Sequence, residues 1–229
     1  MANVSYKGSG ISIHTATKTV DPLAEGAEKV CVLDFAGADD KSQFTEVGTS
    51  SFTATANAGG AAITVTAGGS KAKLMHTNIS GASATNRMQV SCKIKSADVD
   101  ASNHGIFVGF AEDVTTIANT MAAADGTLRA AANGKDMVGF YKDTSGNLDF
   151  YASSGSTEGV NEVDSGFDMA DDTFVNLGVE IVGDEISFFR DGVLLKSYTG
   201  QHDQAATLFP VIICAAATVV TVDAFAAGM

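Results

Sequence analysis

Thr173-Phe174-Val175-Asn176-Leu177-Gly178-Val179-Glu180-Ile181-Val182-Gly183-Asp184-Glu185-Ile186-Ser187-Phe188-Phe189-Arg190-Asp191-Gly192-Val193-Leu194-Leu195-Lys196-Ser197-Tyr198-Thr199 is the stretch whose reading decides the fold. Val175, Leu177, Val179 and Ile181 recur at period two, the spacing of a strand with one face on a core. Gly183-Asp184 suits a two-residue hairpin turn. That turn sets Ile181 opposite Ile186 and Val179 opposite Phe188. A second turn at Asp191-Gly192 then puts Leu195 beside Phe188. Both placements gather the apolar residues on one face, whereas a slip of one residue would turn each side chain to the other face.

The same rhythm extends outward in both directions. Upstream, Val30-Cys31-Val32-Leu33-Asp34-Phe35 is a short apolar run, and residues 51–56 and 62–67 alternate around Gly59-Gly60 as a hairpin. Lys73 to His76 reads as a further strand. In Met88 to Lys95, Met88, Val90, Cys92 and Ile94 share a face. Ile106 to Phe110 is continuously apolar, which suits a central strand covered on both sides. Residues 113–135 break the rhythm and predict a surface loop, with a short helix over the Ala-rich 117–124. Strands resume at Met137 to Tyr141 and at Leu148 to Tyr151. Leu208 to Ile213 and Thr218 to Phe225 close the chain.

About twelve short strands, turn signals every eight to fourteen residues and little helix define an all-β antiparallel β-sandwich or jelly roll. Residues 1–28 are polar and weakly periodic, and Asp21-Pro22 disfavours helix. They predict an extended N-terminal arm or a peripheral strand, leaving 29–229 as the sandwich domain. A chain of 229 residues forms a self-sufficient core without staples.

The chain carries 27 acidic against 14 basic residues, a net charge of -13. Phosphate backbones and anionic bilayers attract Lys and Arg, so neither nucleic acid nor a membrane is an expected partner. No run approaches 18 apolar residues, and the first residues lack the apolar core of a secretory signal. Cys31, Cys92 and Cys214 are far apart and odd in number, which fits reduced, buried thiols.

Three chemistries are tested against the residues. Glycoside hydrolysis needs two carboxylates flanking one cleft. Glu162-Val163-Asp164-Ser165-Gly166-Phe167 begins like the E-x-D-x-x-E strand of laminarinase-type glucanases, but Phe167 stands where the second Glu belongs. There is also no Trp to stack a sugar. Asp98-Val99-Asp100-Ala101-Ser102 begins like a calcium loop but lacks its later glycine and bidentate Glu. Asp39-Asp40 and Asp171-Asp172 read as solvated pairs. His14, His76, His104 and His202 form no zinc pair. No nucleophile elbow or phosphate loop is present. The expectation is therefore no catalytic residue, no metal and no cofactor.

Two segments carry a resemblance. Asp171 to Gly178, leading through Gly183-Asp184 to the "F-x-D-G" hairpin at Phe189-Arg190-Asp191-Gly192, is similar to the concanavalin-like, or laminin-G-like, jelly roll. Leu208-Phe209-Pro210 and Val222-Asp223-Ala224-Phe225 resemble its closing "L-x-P" and "V-D-x-F" strands. Within that superfamily, acidic, Trp-free, Ala/Gly/Thr-rich chains resemble decoration or cement proteins of tailed-phage heads. That resemblance implies a virion protein on the outer capsid surface, made in the host cytoplasm, trimeric, with a major capsid protein as partner. The alternative it implies is a carbohydrate-binding module on a phage fibre or cell surface, with Tyr141, Tyr151 and Tyr198 as the tyrosines that could meet a host glycan, although Tyr141 and Tyr151 read equally as edge packing.

Overall fold

A computed structural model of the chain describes the backbone of residues 3–5, 11–14, 19–22, 30–33, 44–47, 50–54, 61–65 and 71–76. From residue 80 onward it describes the chain except 100–104, 113–120, 122–127, 129, 143–146, 163–165 and 216–218. Eighteen strands are present among the described residues. The first nine are β1 (Asn3–Ser5), β2 (Ile11–His14), β3 (Thr19–Pro22), β4 (Val30–Leu33), β5 (Phe44–Val47), β6 (Ser50–Ala54), β7 (Ala61–Val65), β8 (Lys71–His76) and β9 (Arg87–Ser96). They are followed by β10 (Gly105–Glu112), β11 (Met137–Lys142), β12 (Leu148–Ser154), β13 (Thr157–Glu162) and β14 (Val175–Val182). The last four are β15 (Glu185–Arg190), β16 (Val193–Thr199), β17 (Leu208–Ala215) and β18 (Val219–Gly228).

Two antiparallel sheets face each other. One has seven strands in the order β13-β12-β11-β10-β17-β8-β5. The other has eight, β16-β15-β14-β9-β18-β7-β6, with β4 pairing the far end of β18. The all-β sandwich read from the sequence is the architecture found. The segment assigned to the N-terminal arm carries a small sheet of its own, β1-β2-β3. The 51–56/62–67 hairpin is present as β6 paired with β7. Strands β5 and β13, both at sheet edges, carry too little apolar alternation to be read from the sequence. The helix expected over 117–124 falls outside the described residues, save Met121, which bridges to Leu128.

The deciding hairpin forms as its residues dictate. Ile181 pairs Ile186 and Val179 pairs Phe188. Gly183 at φ +60° occupies the first position of its turn, and Asp191 and Gly192 both have positive φ. These are the conformations that two-residue hairpins require. The expected pairing of Leu195 with Phe188 is corrected by one residue. A β-bulge between Phe188 and Phe189 makes Lys196 the partner of Phe188 and leaves Leu195 as the inserted residue. Leu195 still packs on the core, since a bulge re-aims the side chain it inserts.

Between the sheets lies a continuous apolar core. Met88, Val90, Cys92 and Ile94 of β9 and Val175, Leu177, Val179 and Ile181 of β14 supply one side. Ile106, Val108 and Phe110 of β10, with Phe140, Phe150 and Ile212, supply the other. At one end Phe140, Phe150, Phe188 and Tyr198 form an aromatic cluster. Phe188 is edge-on to Phe140 at 5.3 Å between ring centroids and 4.8 Å from Phe150. Such contacts add to the burial itself.

Cys92 and Cys214 are free thiols buried in this core. Burial pushes Cys214 up to about 12 and raises Cys92 further. Because the thiolate is the reactive form, both are expected to resist a disulfide reagent at pH 8 until the chain unfolds. Peptide mass mapping checks this, and rapid labelling of either in the native protein would contradict the burial. Cys31 lies in β4, and its side chain is outside the described residues.

Candidate functional surfaces

Among the described residues, the outer face of the seven-stranded sheet is covered over β10, β11, β12 and β17. Phe107 and Ala111 of β10, Met137 of β11, Tyr151 of β12 and Val211, Ile213 and Ala215 of β17 point away from the main core, yet all are buried. Met121 and Ala130, from the connection between β10 and β11, complete this second cluster, with Leu128 packed against it. The loop read at 113–135 thus contributes a hydrophobic layer. Strand β10 as far as Ala111 and strand β17 are apolar for this reason: both of their faces are covered. Tyr151 lies in the layer at 1% exposure, and Tyr141 packs against it. Tyr198 packs against the main core with Lys196 over its ring. All three tyrosines singled out for a glycan are engaged in packing.

The glucanase-like segment resolves in part. Glu162 ends β13, an edge strand, and 163–165 lie outside the described residues. Phe167, standing where a second Glu would be needed, packs on the core against Phe150 at 6.4 Å. Its carbonyl also accepts the Leu148 N–H at 3.2 Å.

Asp171 and Asp172 are exposed, as a solvated pair should be, and both are hydrogen-bonded. Asp171 Oδ1 accepts the Val99 N–H at 2.7 Å, and Asp172, at φ +52°, accepts Lys95 Nζ at 3.1 Å. Among the described residues no group of three or more His, Cys, Asp or Glu side chains is placed to hold a metal ion. Asp39-Asp40 and the side chains of His14, His76 and His104 lie outside the described residues.

Among the described residues, the outer face of the eight-stranded sheet is polar and internally paired over β9, β14 and β18. Glu180 Oε1 accepts Arg87 and, at 2.9 Å, Gln89 Nε2. A bulge in β18 between Val222 and Ala224 frees Asp223 from the strand alternation, and Asp223 pairs with Lys93. Lys93 and Lys95 also lie over the ring of Phe174, at 4.9 and 5.3 Å from its centroid. Phe174 is the one exposed aromatic side chain among the described residues. Glu180 and Asp223 are buried while Arg87 and Lys93 reach solvent, so each cation offsets the cost of burying its carboxylate. Val193 and Leu194 of the edge strand β16 add exposed apolar area beside it.

One arrangement has the outline of a nucleophile and its base. Ser83 Oγ lies 2.8 Å from His202 Nε2, 119 residues away in sequence. Both side chains are buried, and His202 Nδ1 has no hydrogen-bond partner. A working pair needs an orienting group on the second ring nitrogen and a substrate within reach of the hydroxyl. The ring faces Asp184, Asp203 and the Gly183 backbone, and the Ser83 side chain is buried. No spacing in the sequence announces this pair, because it is made where two loops meet.

No protein-family model and no curated protein sequence matches the chain. Solved structures do match in shape. A β-glucanase of Bacillus licheniformis superposes with a TM-score of 0.60 at 12% identity, covering 87% of this chain and 97% of its own. The exoplasmic domain of VIP36, described in a form bound to calcium and Man3GlcNAc, gives 0.57 at 10% identity over 84% and 85%. A conserved carbohydrate esterase of the Shiga toxin-encoding bacteriophage phi24B gives 0.55 at 12% identity over 88% and 99%. The fold is a concanavalin-like jelly roll. At these identities the likeness extends to the fold and no further. No described helix is long and apolar enough to cross a membrane.

Proposed function

We propose that the chain is a non-enzymatic decoration protein of a tailed-phage head, binding the outer shell across capsid-subunit boundaries as a homotrimer. The observation that carries this reading is the covering of β10, β11, β12 and β17 by Met121, Leu128 and Ala130. That layer leaves these strands no open outer face of their own, which suits a protein that acts by surface contact. The net charge of -13 supports a seat on the outer face, away from packaged DNA. A contact of about 1,200 Å² or more per interface is enough for a stable seat.

Purified protein is expected to co-sediment with expanded phage shells at low micromolar concentration and to run as a trimer by light scattering. Failure to bind any shell, with a monomer in solution, would overturn the proposal.

A second reading, glycan recognition, is favoured by one feature. Phe174 presents an exposed ring beside Lys93, Lys95 and Asp172, a mix of apolar and hydrogen-bonding groups suited to a sugar. The carbohydrate-recognition proteins among the structural neighbours support the same reading. Hits on a glycan array that disappear in Phe174→Ala would replace the first proposal with this one.

A further inference from the structure

The loop between β16 and β17 joins the two sheets at one edge of the sandwich, and three other segments meet it. The Gly183-Asp184 turn reaches it through Gly200 N–H to Asp184 O, 3.0 Å. Strand β13 passes so close that a Cβ at Gly159 would lie 2.5 Å from Gln201 O. The turn before β9 is tied by Ala84 N–H to Gln204 O at 3.0 Å and by two bonds between Gly81 and Leu208, 3.1 and 2.8 Å. The side-chain bond at this junction is Ser83 to His202. Beneath it lie Leu208, fully buried, and Met229, whose sulfur would be 2.8 Å from a Cβ at Gly81.

We propose that the Ser83–His202 contact is an acid-released latch, closing the 81–86 turn over Leu208 and Met229 at neutral pH and letting it open as the medium acidifies. The neutral ring can donate Nε2–H to Ser83 and leave Nδ1 as a bare acceptor. Protonation puts a charge inside a junction where His202 is 7% exposed, and burying a charge is destabilising unless its partners offset the lost hydration.

The groups facing the ring are Asp184 from the hairpin turn and Asp203 from its own loop. The 81–86 turn, Gly-Ala-Ser-Ala-Thr-Asn, brings no titratable side chain. Burial outweighs the two carboxylates and the Gly183 backbone, and holds His202 below the ordinary histidine value. A histidine depressed in the closed state binds its proton more tightly when the latch opens. The stabilisation is therefore complete above about pH 6.5, the free histidine value. It is lost as pH falls from there toward the lowered value. One proton changes the closing equilibrium by up to about tenfold per pH unit within that window.

Hydrogen exchange on the full chain at pH 7.5 and 5.5, corrected for intrinsic rates, tests this. Protection at Gly81, Ala84 and Leu208 is expected to fall several-fold at the lower pH, while Val179 and Ile181 in β14 hold theirs. His202→Gln removes the titration and is expected to abolish the pH step at those three amides. An NMR titration of His202 in the unmodified chain gives an independent readout, with a midpoint expected below 6.5. A midpoint at or above that value, the same step in His202→Gln, or uniform loss across β14 would each overturn the latch.

Discussion

Phe188→Ala is expected to lower stability by about 3–5 kcal/mol, the range for truncating a large buried aromatic. Phe188 is fully buried, and its ring meets Phe140, Phe150 and Tyr198 at centroid distances of 5.3, 4.8 and 6.0 Å. Removing it takes away the transfer energy of a benzyl group and the edge-on contacts, and leaves a cavity that three rings from both sheets cannot easily close. For a domain of this size, about 1 kcal/mol corresponds to roughly 2–4 °C in Tm, so a drop of about 6–20 °C is expected. Urea denaturation of Phe188→Ala against Phe188→Leu measures it. A loss below about 1 kcal/mol would mean that this end of the core is not packed as described.

The second large effect is expected at a glycine. Gly109 of β10 and Gly139 of β11 are cross-strand partners in the seven-stranded sheet. A Cβ at Gly139 would lie 2.4 Å from Val108 O, 2.6 Å from Phe107 Cζ and 2.9 Å from Gly109 Cα. Two of those obstacles are backbone, which cannot swing aside as a long side chain can. The third is the ring that lies in the space the missing side chain leaves. Neither glycine has positive φ, so the constraint is contact, not conformation.

Gly139→Ala is therefore expected to destabilise by about 3 kcal/mol, the upper end for overpacking, by parting the two strands and lifting Phe107 from the second cluster. Gly155→Ala is a useful contrast, since its Cβ would meet nothing within 4 Å and its cost would come from φ +53° alone. Equal stabilities of Gly139→Ala and the native chain in denaturant would refute the close approach.

Much of the fold is legible in the residues. The alternation of Val175 to Ile181, the Gly183-Asp184 turn and the apolar face of β9 are local signals, and each appears where the pattern puts it. Leu195 is one residue off because a bulge has no signature in hydrophobic alternation. Strands β5 (Phe-Thr-Glu-Val) and β13 (Thr-Glu-Gly-Val-Asn-Glu) carry no apolar alternation that would mark them as strands. The glycines at 109 and 139 sit inside runs that read simply as apolar, and their role emerges only when β10 and β11 lie side by side.

The candidate surfaces were less legible. Tyr141, Tyr151 and Tyr198 stand out in a Trp-free sequence as sugar platforms, yet sequence alone does not say which face of a covered strand a ring will meet. Glu180 with Arg87, Asp223 with Lys93 and Ser83 with His202 are separated by 93, 130 and 119 positions, far beyond any local rule.

The sequence by itself determined that this chain is an antiparallel sandwich with an acidic surface, because strand period, turn chemistry and charge are properties of neighbouring residues. The tertiary structure decided that the outer face of β10, β11, β12 and β17 is covered by Met121, Leu128 and Ala130 from the segment between β10 and β11. It also decided that a lone serine and a lone histidine meet in a buried junction. Those outcomes depend on which surfaces are brought together when distant strands pack, and burial of that kind has no counterpart in the chain before it folds.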